Sequence, residues 1–215
     1  MIDLRNCDCM DLMAEFPDGY FDLAICDPPY GLDSKLRNGG NTGVVTFKYL
    51  DSSWDSAPPN GDYFKELKRV SKHQIIWGAN YFWEHLSSTR GIIVWDKLKE
   101  NNRNFSHFEF AWTSFDKMAM KCPFSGNGGF VLKQEDKNRI HATQKPVSLY
   151  RWLLENYASA GDKILDTHLG SGSIALACNE LGFELTASEI DPKIYALAVK
   201  RFEAQRSLSL FSHCV

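Results

Sequence analysis

The chain has no long hydrophobic run. None of its apolar stretches approaches the roughly 20 residues that a membrane-crossing helix requires. Its N-terminus, MIDLRNCDCMDLMAEF, carries acids and no apolar core ahead of a small-residue cleavage site, so it does not read as a secretory signal. The six cysteines, at positions 7, 9, 26, 122, 178 and 214, never make the paired CxxC of a zinc site, and Cys7 with Cys9 gives only CxC. Free thiols in a reducing cytoplasm, with no bound metal, are the expectation. There is no internal repeat and no low-complexity tract. Neither sign of charge dominates, with 24 Lys and Arg against 27 Asp and Glu, a net of −3. The 44% hydrophobic and 24% charged shares exclude a disordered or fibrous chain. What remains is one globular domain of 215 residues, long enough to bury a core.

The charge that is present is uneven. Residues 1–32 hold seven acids and one base, residues 33–150 twelve acids and seventeen bases, and residues 151–215 eight acids and six bases. A basic middle can hold phosphates even in an acidic protein. Short β-rich runs alternate with amphipathic stretches. FDLAIC (21–26), QIIW (74–77), GIIVW (91–95), FEFAWTSF (108–115), KILD (163–166) and ELTAS (184–188) predict strands. Helical patterns fall at 61–70, 146–158, 173–181 and 192–204, with Pro146 suited to a first helical turn. The alternation predicts an α/β fold, an open and mostly parallel sheet with helices on both faces. Two Gly- and Asn-containing stretches, 31–60 and 116–145, interrupt the rhythm after predicted strands and are expected to be loops at the ligand-binding edge.

Three motifs carry chemistry. Asp27-Pro28-Pro29-Tyr30 directly follows FDLAIC. A carboxylate, two imide carbonyls held in a stiff turn and a flat ring suit a planar group bearing an exocyclic NH₂. Asp166-Thr167-His168-Leu169-Gly170-Ser171-Gly172 follows KILD and opens a helix. Glycines there let the backbone approach a ligand, and Glu189, after the next strand, stands where an acid accepts from both hydroxyls of a ribose. The full GxGxxG fingerprint is absent, since position 175 is Ala175. The reading is therefore a nucleoside-like cofactor without a required pyrophosphate. Finally, His141-Ala142-Thr143-Gln144-Lys145-Pro146 precedes a predicted helix, and Thr143 and Lys145 could bind a carboxylate.

In this order the motifs resemble the β-group amino-methyltransferases, which modify adenine N6 or cytosine N4 in DNA with S-adenosylmethionine. The resemblance runs through nearly the whole chain, including NCDCMDLMAEFPDGYFDLAICDPPYGL, WGANYF (77–82) and IIVWDK (92–97). It implies a Rossmann-like methyltransferase fold with a circularly permuted motif order, a single domain over 1–215, a short DNA-recognition insertion near 116–140 and an active-site loop near 31–60. It implies Asp27, Pro28, Pro29 and Tyr30 at the target base. Asp166, His168, Gly170, Ser171 and Gly172 would lie at the methionine end, and Glu189 with Ile190 at the ribose. Asp8 and Cys9 would sit near the cofactor adenine, and Thr143 and Lys145 at its carboxylate. The partner implied is double-stranded DNA with the target base flipped out, and the resemblance allows a homodimer. The chain departs from the family at His168, where Phe is usual, and in the shortness of the middle region, which implies a short recognition site. Asp at the first motif position favours adenine N6 over cytosine N4. A methyltransferase of RNA or protein amino groups, and a non-catalytic nucleic-acid-binding module, are the competing readings.

Overall fold

The computed structural model describes residues 1–31, 57–97, 106–123, 140 and 144–212. The two long loops expected at 31–60 and 116–140 lie mostly outside these residues, as does Thr143.

The described strands form one eight-stranded sheet. In chain order they are β1 (Ile2–Arg5), β2 (Phe21–Cys26), β3 (Ser71–Trp77), β4 (Ile92–Asp96), β5 (Phe108–Thr113), β6 (Met120–Lys121), β7 (Lys163–Asp166) and β8 (Glu184–Ser188). In space they run β1-β8-β7-β2-β3-β5-β4-β6. All neighbours from β1 to β3 are parallel, β5 is antiparallel to both β3 and β4, and β4 is parallel to β6. The expected open, mostly parallel sheet is present.

Helices cover both faces. They are α1 (Cys9–Ala14), α2 (Gly61–Val70), α3 (Val147–Tyr157), α4 (Ser173–Leu181) and α5 (Pro192–Ser212). The period-two alternation of β2 sorts its side chains between two cores. Leu23 and Ile25 join Ile75, Leu153, Ile174 and Ala198 in the layer formed with α3, α4 and α5. Ala24 and Cys26 join Leu12, Phe64, Leu67 and Ile76 in the layer formed with α1 and α2. A strand buried on both sides is nearly continuous in apolar residues, which is why FDLAIC shows no alternation in sequence.

Several boundaries differ from the sequence reading. IDLR is a strand because it pairs with β8, although four half-buried residues carry too little pattern to predict one. β3 begins at Ser71, immediately after α2. α1 arises from a local cap: the Asp8 carboxylate accepts from the Met10 amide at 2.7 Å, satisfying one donor of the first turn. Pro146 sits just outside α3, at its N-cap with ψ 148°, rather than in its first turn. α5 continues to Ser212, beyond the expected residue 204.

Candidate active site

β7 and β2 are neighbours, yet the chain leaves them in opposite directions across the sheet: β7 leads to β8, and β2 leads to β3. In an open α/β sheet the carboxyl ends at such a reversal leave a crevice. A cavity of about 350 Å³ lies there, within the usual range for ligand pockets. The turn from β7 to α4 forms one wall, the start of α1 another, and Asp27 with Pro29 a third.

Glu189 ties the first wall together. It is 8% exposed, and burial raises its pKa. Its Oε2 accepts from the Gly170 amide at 2.9 Å and its Oε1 from the Asp191 amide at 3.0 Å. Each carboxylate oxygen keeps further acceptor capacity toward the cavity. Asn6 Nδ2 donates to the Glu189 carbonyl at 2.7 Å, tying this turn to the end of β1. Asp8 and Cys9 line the opposite wall, and Ile190, largely exposed, stands at the rim.

Asp166 lies behind the turn rather than in the cavity wall. Burial pushes its pKa up to about 8, and the His168 amide donating to Oδ1 at 3.0 Å opposes that shift. The imidazole of His168 does face the cavity. Burial lowers its pKa to about 4, so the ring is neutral at pH 7. Thr167 Oγ1 lies 2.9 Å from its Nδ1 and 2.7 Å from the Tyr63 hydroxyl, and the Tyr63 ring packs edge-on at 5.5 Å. Gly172, with φ 73°, also lies outside the wall. It backs onto α5, where an added Cβ would reach 3.4 Å from Ala198 Cβ.

In the turn after β2, Asp27 is engaged at both oxygens. Tyr30 donates its hydroxyl to Oδ1 at 2.5 Å, and the Lys145 ammonium pairs with Oδ2. Burial and the neighbouring Asp27 carboxylate hold the Tyr30 phenol well above its ordinary pKa. The Tyr30 ring stacks on Tyr81 at 4.8 Å with 13° between planes. It also crosses Gly78, whose φ of 75° places the backbone against the ring with no room for a Cβ. Pro28 and Tyr30 support the cavity without lining it.

Of the residues expected in the site, Asp8, Cys9, Asp27, Pro29, Lys145, His168, Gly170, Ser171, Glu189 and Ile190 converge on one cavity. Lys145, expected at a cofactor carboxylate, lines the cavity, and its ammonium pairs with Asp27 and, at 3.2 Å, with Glu109. Tyr63, Gln144 and Tyr150 also line the cavity and were not anticipated. Tyr63 and Tyr150 sit on helices whose apolar spacing reads simply as core. Glu109 could have been noticed as a lone acid inside the apolar run FEFAWT. Among the described residues no cluster of His, Cys, Asp and Glu is placed to hold a metal, and no helix is long and apolar enough to cross a membrane.

The lining suits a nucleoside that carries an amino acid through a sulfonium. Glu189 offers acceptors for a diol, Asp8, Asp27 and Glu189 make its walls anionic, and Ile190 and Ile194 supply apolar surface. The family model described as DNA methylase matches residues 94–200. Type II methyltransferase M.HinfI of Haemophilus influenzae is 22% identical to this chain, and the match covers 90% of this chain and 66% of that protein.

 The alignment with M.HinfI runs over 241 residues. M2.DpnII of Streptococcus pneumoniae, also a type II methyltransferase, is 24% identical over 246 residues, covering 94% of this chain and 90% of that protein. Among solved structures, the M1.HpyAVI–SAM complex superposes with a TM-score of 0.57 at 19% identity, covering 94% of this chain and all of that one. The cytosine-N4-specific PvuII DNA methyltransferase gives 0.62 at 14% identity, covering 94% and 86%. The chain belongs to the N6/N4 DNA methylase family, the S-adenosylmethionine-dependent methyltransferases of DNA.

Proposed function

We propose that this protein methylates the exocyclic N6 of adenine in double-stranded DNA, with the target base flipped out of the helix. The observation that carries this reading is the position of Asp27. Its carboxylate shares one cavity with Glu189, so a nucleotide amino group and a nucleoside cofactor can meet there. The Asp at the first position of Asp27-Pro28-Pro29-Tyr30 supports adenine, because the adenine enzymes of the family mostly carry Asp there and the cytosine enzymes mostly Ser.

S-adenosylmethionine supplies, when bound, a methyl group on a sulfonium that is electrophilic without further activation. Glu189, with Ile190 beside it, would hold the ribose hydroxyls, and Asp8 and Cys9 would border the adenine. His168, Gly170 and Ser171 border the methionine end, with Asp166 fixing the turn from behind through the His168 amide. The residues of the chain have two tasks: to hold the amino nitrogen in line with the methyl group, and to keep water out. Asp27 and the Pro28 carbonyl accept the two N–H bonds of the amino group, and the negative charge of Asp27 stabilises the positive charge that develops on nitrogen. Tyr30, braced by Tyr81 and Gly78 and donating to Asp27, fixes the turn against which the flipped base would pack. Recognition of DNA falls to segments 31–60 and 116–140, the second of them basic, and a homodimer would extend the footprint of one short site.

The test is product analysis. Duplex DNA treated with the protein and S-adenosylmethionine is digested to nucleosides and examined by mass spectrometry. N6-methyladenine is the expected product, and N4-methylcytosine as the main product overturns the choice of base. Methyl transfer to RNA or protein but not to DNA overturns the substrate class.

A further inference from the structure

Lys145 is only 4% exposed, and its ammonium sits between two carboxylates on different elements. Asp27, at the end of β2, pairs with it from one side, and Glu109, on β5, approaches to 3.2 Å from the other. Glu109 in turn pairs through its second oxygen with Lys97, just beyond β4. Charges therefore alternate from the cavity outward: Asp27, Lys145, Glu109, Lys97. The Trp77 ring lies 5.3 Å below the Lys145 ammonium, and the Trp95 ring 5.4 Å from that of Lys97. Strand register supports the arrangement, because Trp95 and Glu109 are directly opposite one another on β4 and β5.

From this geometry we infer that Lys145 is a positioning residue for Asp27, fixing the orientation of its carboxylate, rather than a ligand of the cofactor's carboxylate. The inference rests on the assignment of Asp27 to the target amino group. Its physical basis is the crowding of acids around the cavity. Asp27 is faced by the Tyr30 hydroxyl on its own loop, by Tyr150 from α3, and by Asp166 from the end of β7. Asp8 and Glu189 add two more carboxylates to the cavity walls. Among the described residues lining that cavity, Lys145 is the one lysine or arginine. Without it, the Asp27 carboxylate would lose the ammonium partner of its Oδ2 and face the surrounding carboxylates with no compensating charge beside it.

Glu109 moderates this effect. It shares the Lys145 charge with Asp27, and it is itself held ionised: burial opposes its charge, but Lys145 and Lys97 outweigh burial and keep its carboxyl below the ordinary value. Burial likewise opposes the charge on Lys145, and Asp27 and Glu109 more than offset it. Removing Lys145 frees the Asp27 carboxylate to turn, whereas removing the charge of Glu109 leaves Lys145 paired with Asp27 alone.

The experiment compares Lys145→Met, Lys145→Arg and Glu109→Gln in the full chain. Single-turnover methyl transfer to duplex DNA is expected to slow by about tenfold or more in Lys145→Met, to recover in part in Lys145→Arg, and to change least in Glu109→Gln. Calorimetry should find S-adenosylmethionine affinity within about threefold of wild type in Lys145→Met. An unchanged rate in Lys145→Met, or a tenfold loss of its cofactor affinity, overturns the inference. If Lys145→Met does not fold, Lys145→Arg decides, and a tenfold loss of cofactor affinity in it overturns the inference. Calorimetry needs no turnover, so a wild-type protein that transfers no methyl group to DNA refutes the proposed reaction and leaves the cofactor arm of this test standing.

Discussion

Replacing Gly78 with alanine should disable the target side of the site while sparing the cofactor side. Gly78 has φ 75°, a left-handed conformation that costs a residue with a Cβ about 1 to 2 kcal/mol. The added Cβ would also overlap Tyr30 Cε1 and lie 2.7 Å from its Cζ and 2.8 Å from its Cδ1. The ring must therefore leave. Leaving forfeits the stack on Tyr81, about 0.5 to 1.5 kcal/mol, and the hydrogen bond to the Asp27 carboxylate, about 1.5 to 3 kcal/mol. The total of about 3 to 6.5 kcal/mol should divide between lost stability and lost turnover. Gly182, the C-cap of α4, supplies the control. Its φ is 78°, but an added Cβ there meets nothing within 4 Å. Gly182→Ala should show the backbone cost alone, with turnover near that of wild type. Urea unfolding followed by tryptophan fluorescence gives the stabilities, and single-turnover methyl transfer gives the rates. If Gly78→Ala matches Gly182→Ala in both, the ring is not braced by this turn and the reasoning is wrong.

Asp27→Ala should lower the methyl-transfer rate by 100-fold or more, since a charged group aimed at the transition state is typically worth about 3 to 4 kcal/mol; a rate within tenfold of wild type in a quenched-flow assay would falsify its role. Glu189→Ala should weaken S-adenosylmethionine binding far more than DNA binding, each lost hydrogen bond to the carboxylate counting for about 1.5 to 3 kcal/mol. Calorimetric titration with unchanged cofactor affinity would contradict the placement. His168→Phe should flatten one part of the pH–stability curve. The folded-state pKa of His168 is lowered to about 4, so its stabilising contribution is complete above the unfolded value of 6.5 and is lost as pH falls through about 4. Wild type should lose at most about 3.4 kcal/mol more than His168→Phe over that interval, read by urea midpoints. Equal losses in both proteins would show that the imidazole titrates as it does in water.

Local patterns in the sequence carried much of this protein. FDLAIC, KILD and ELTAS are short, apolar and bounded by turn residues, and each is a strand of the sheet. Helices 61–70 and 173–181 fall where their spacing and the glycine after Leu181 put them. Motifs that follow strands could be assigned to the carboxyl edge, because strand direction and sequence order fix which end a loop leaves from. Elements with little local signal came only from tertiary pairing. IDLR is a strand because β8 offers it an edge, and Met120–Lys121 because β4 does. The partners of each side chain were likewise out of reach. Lys145 and Asp27 are 118 residues apart, and nothing in HATQKP says that the lysine turns toward Asp27 and Glu109 rather than toward a cofactor. Tyr30 could be recognised as a flat ring, but Gly78 and Tyr81, which clamp it, lie across the sheet edge on a different turn. Sequence shows which groups are available within a turn or a strand. Which of them meet depends on strand order and helix packing, and those are settled by burying the two apolar layers of the whole sheet at once.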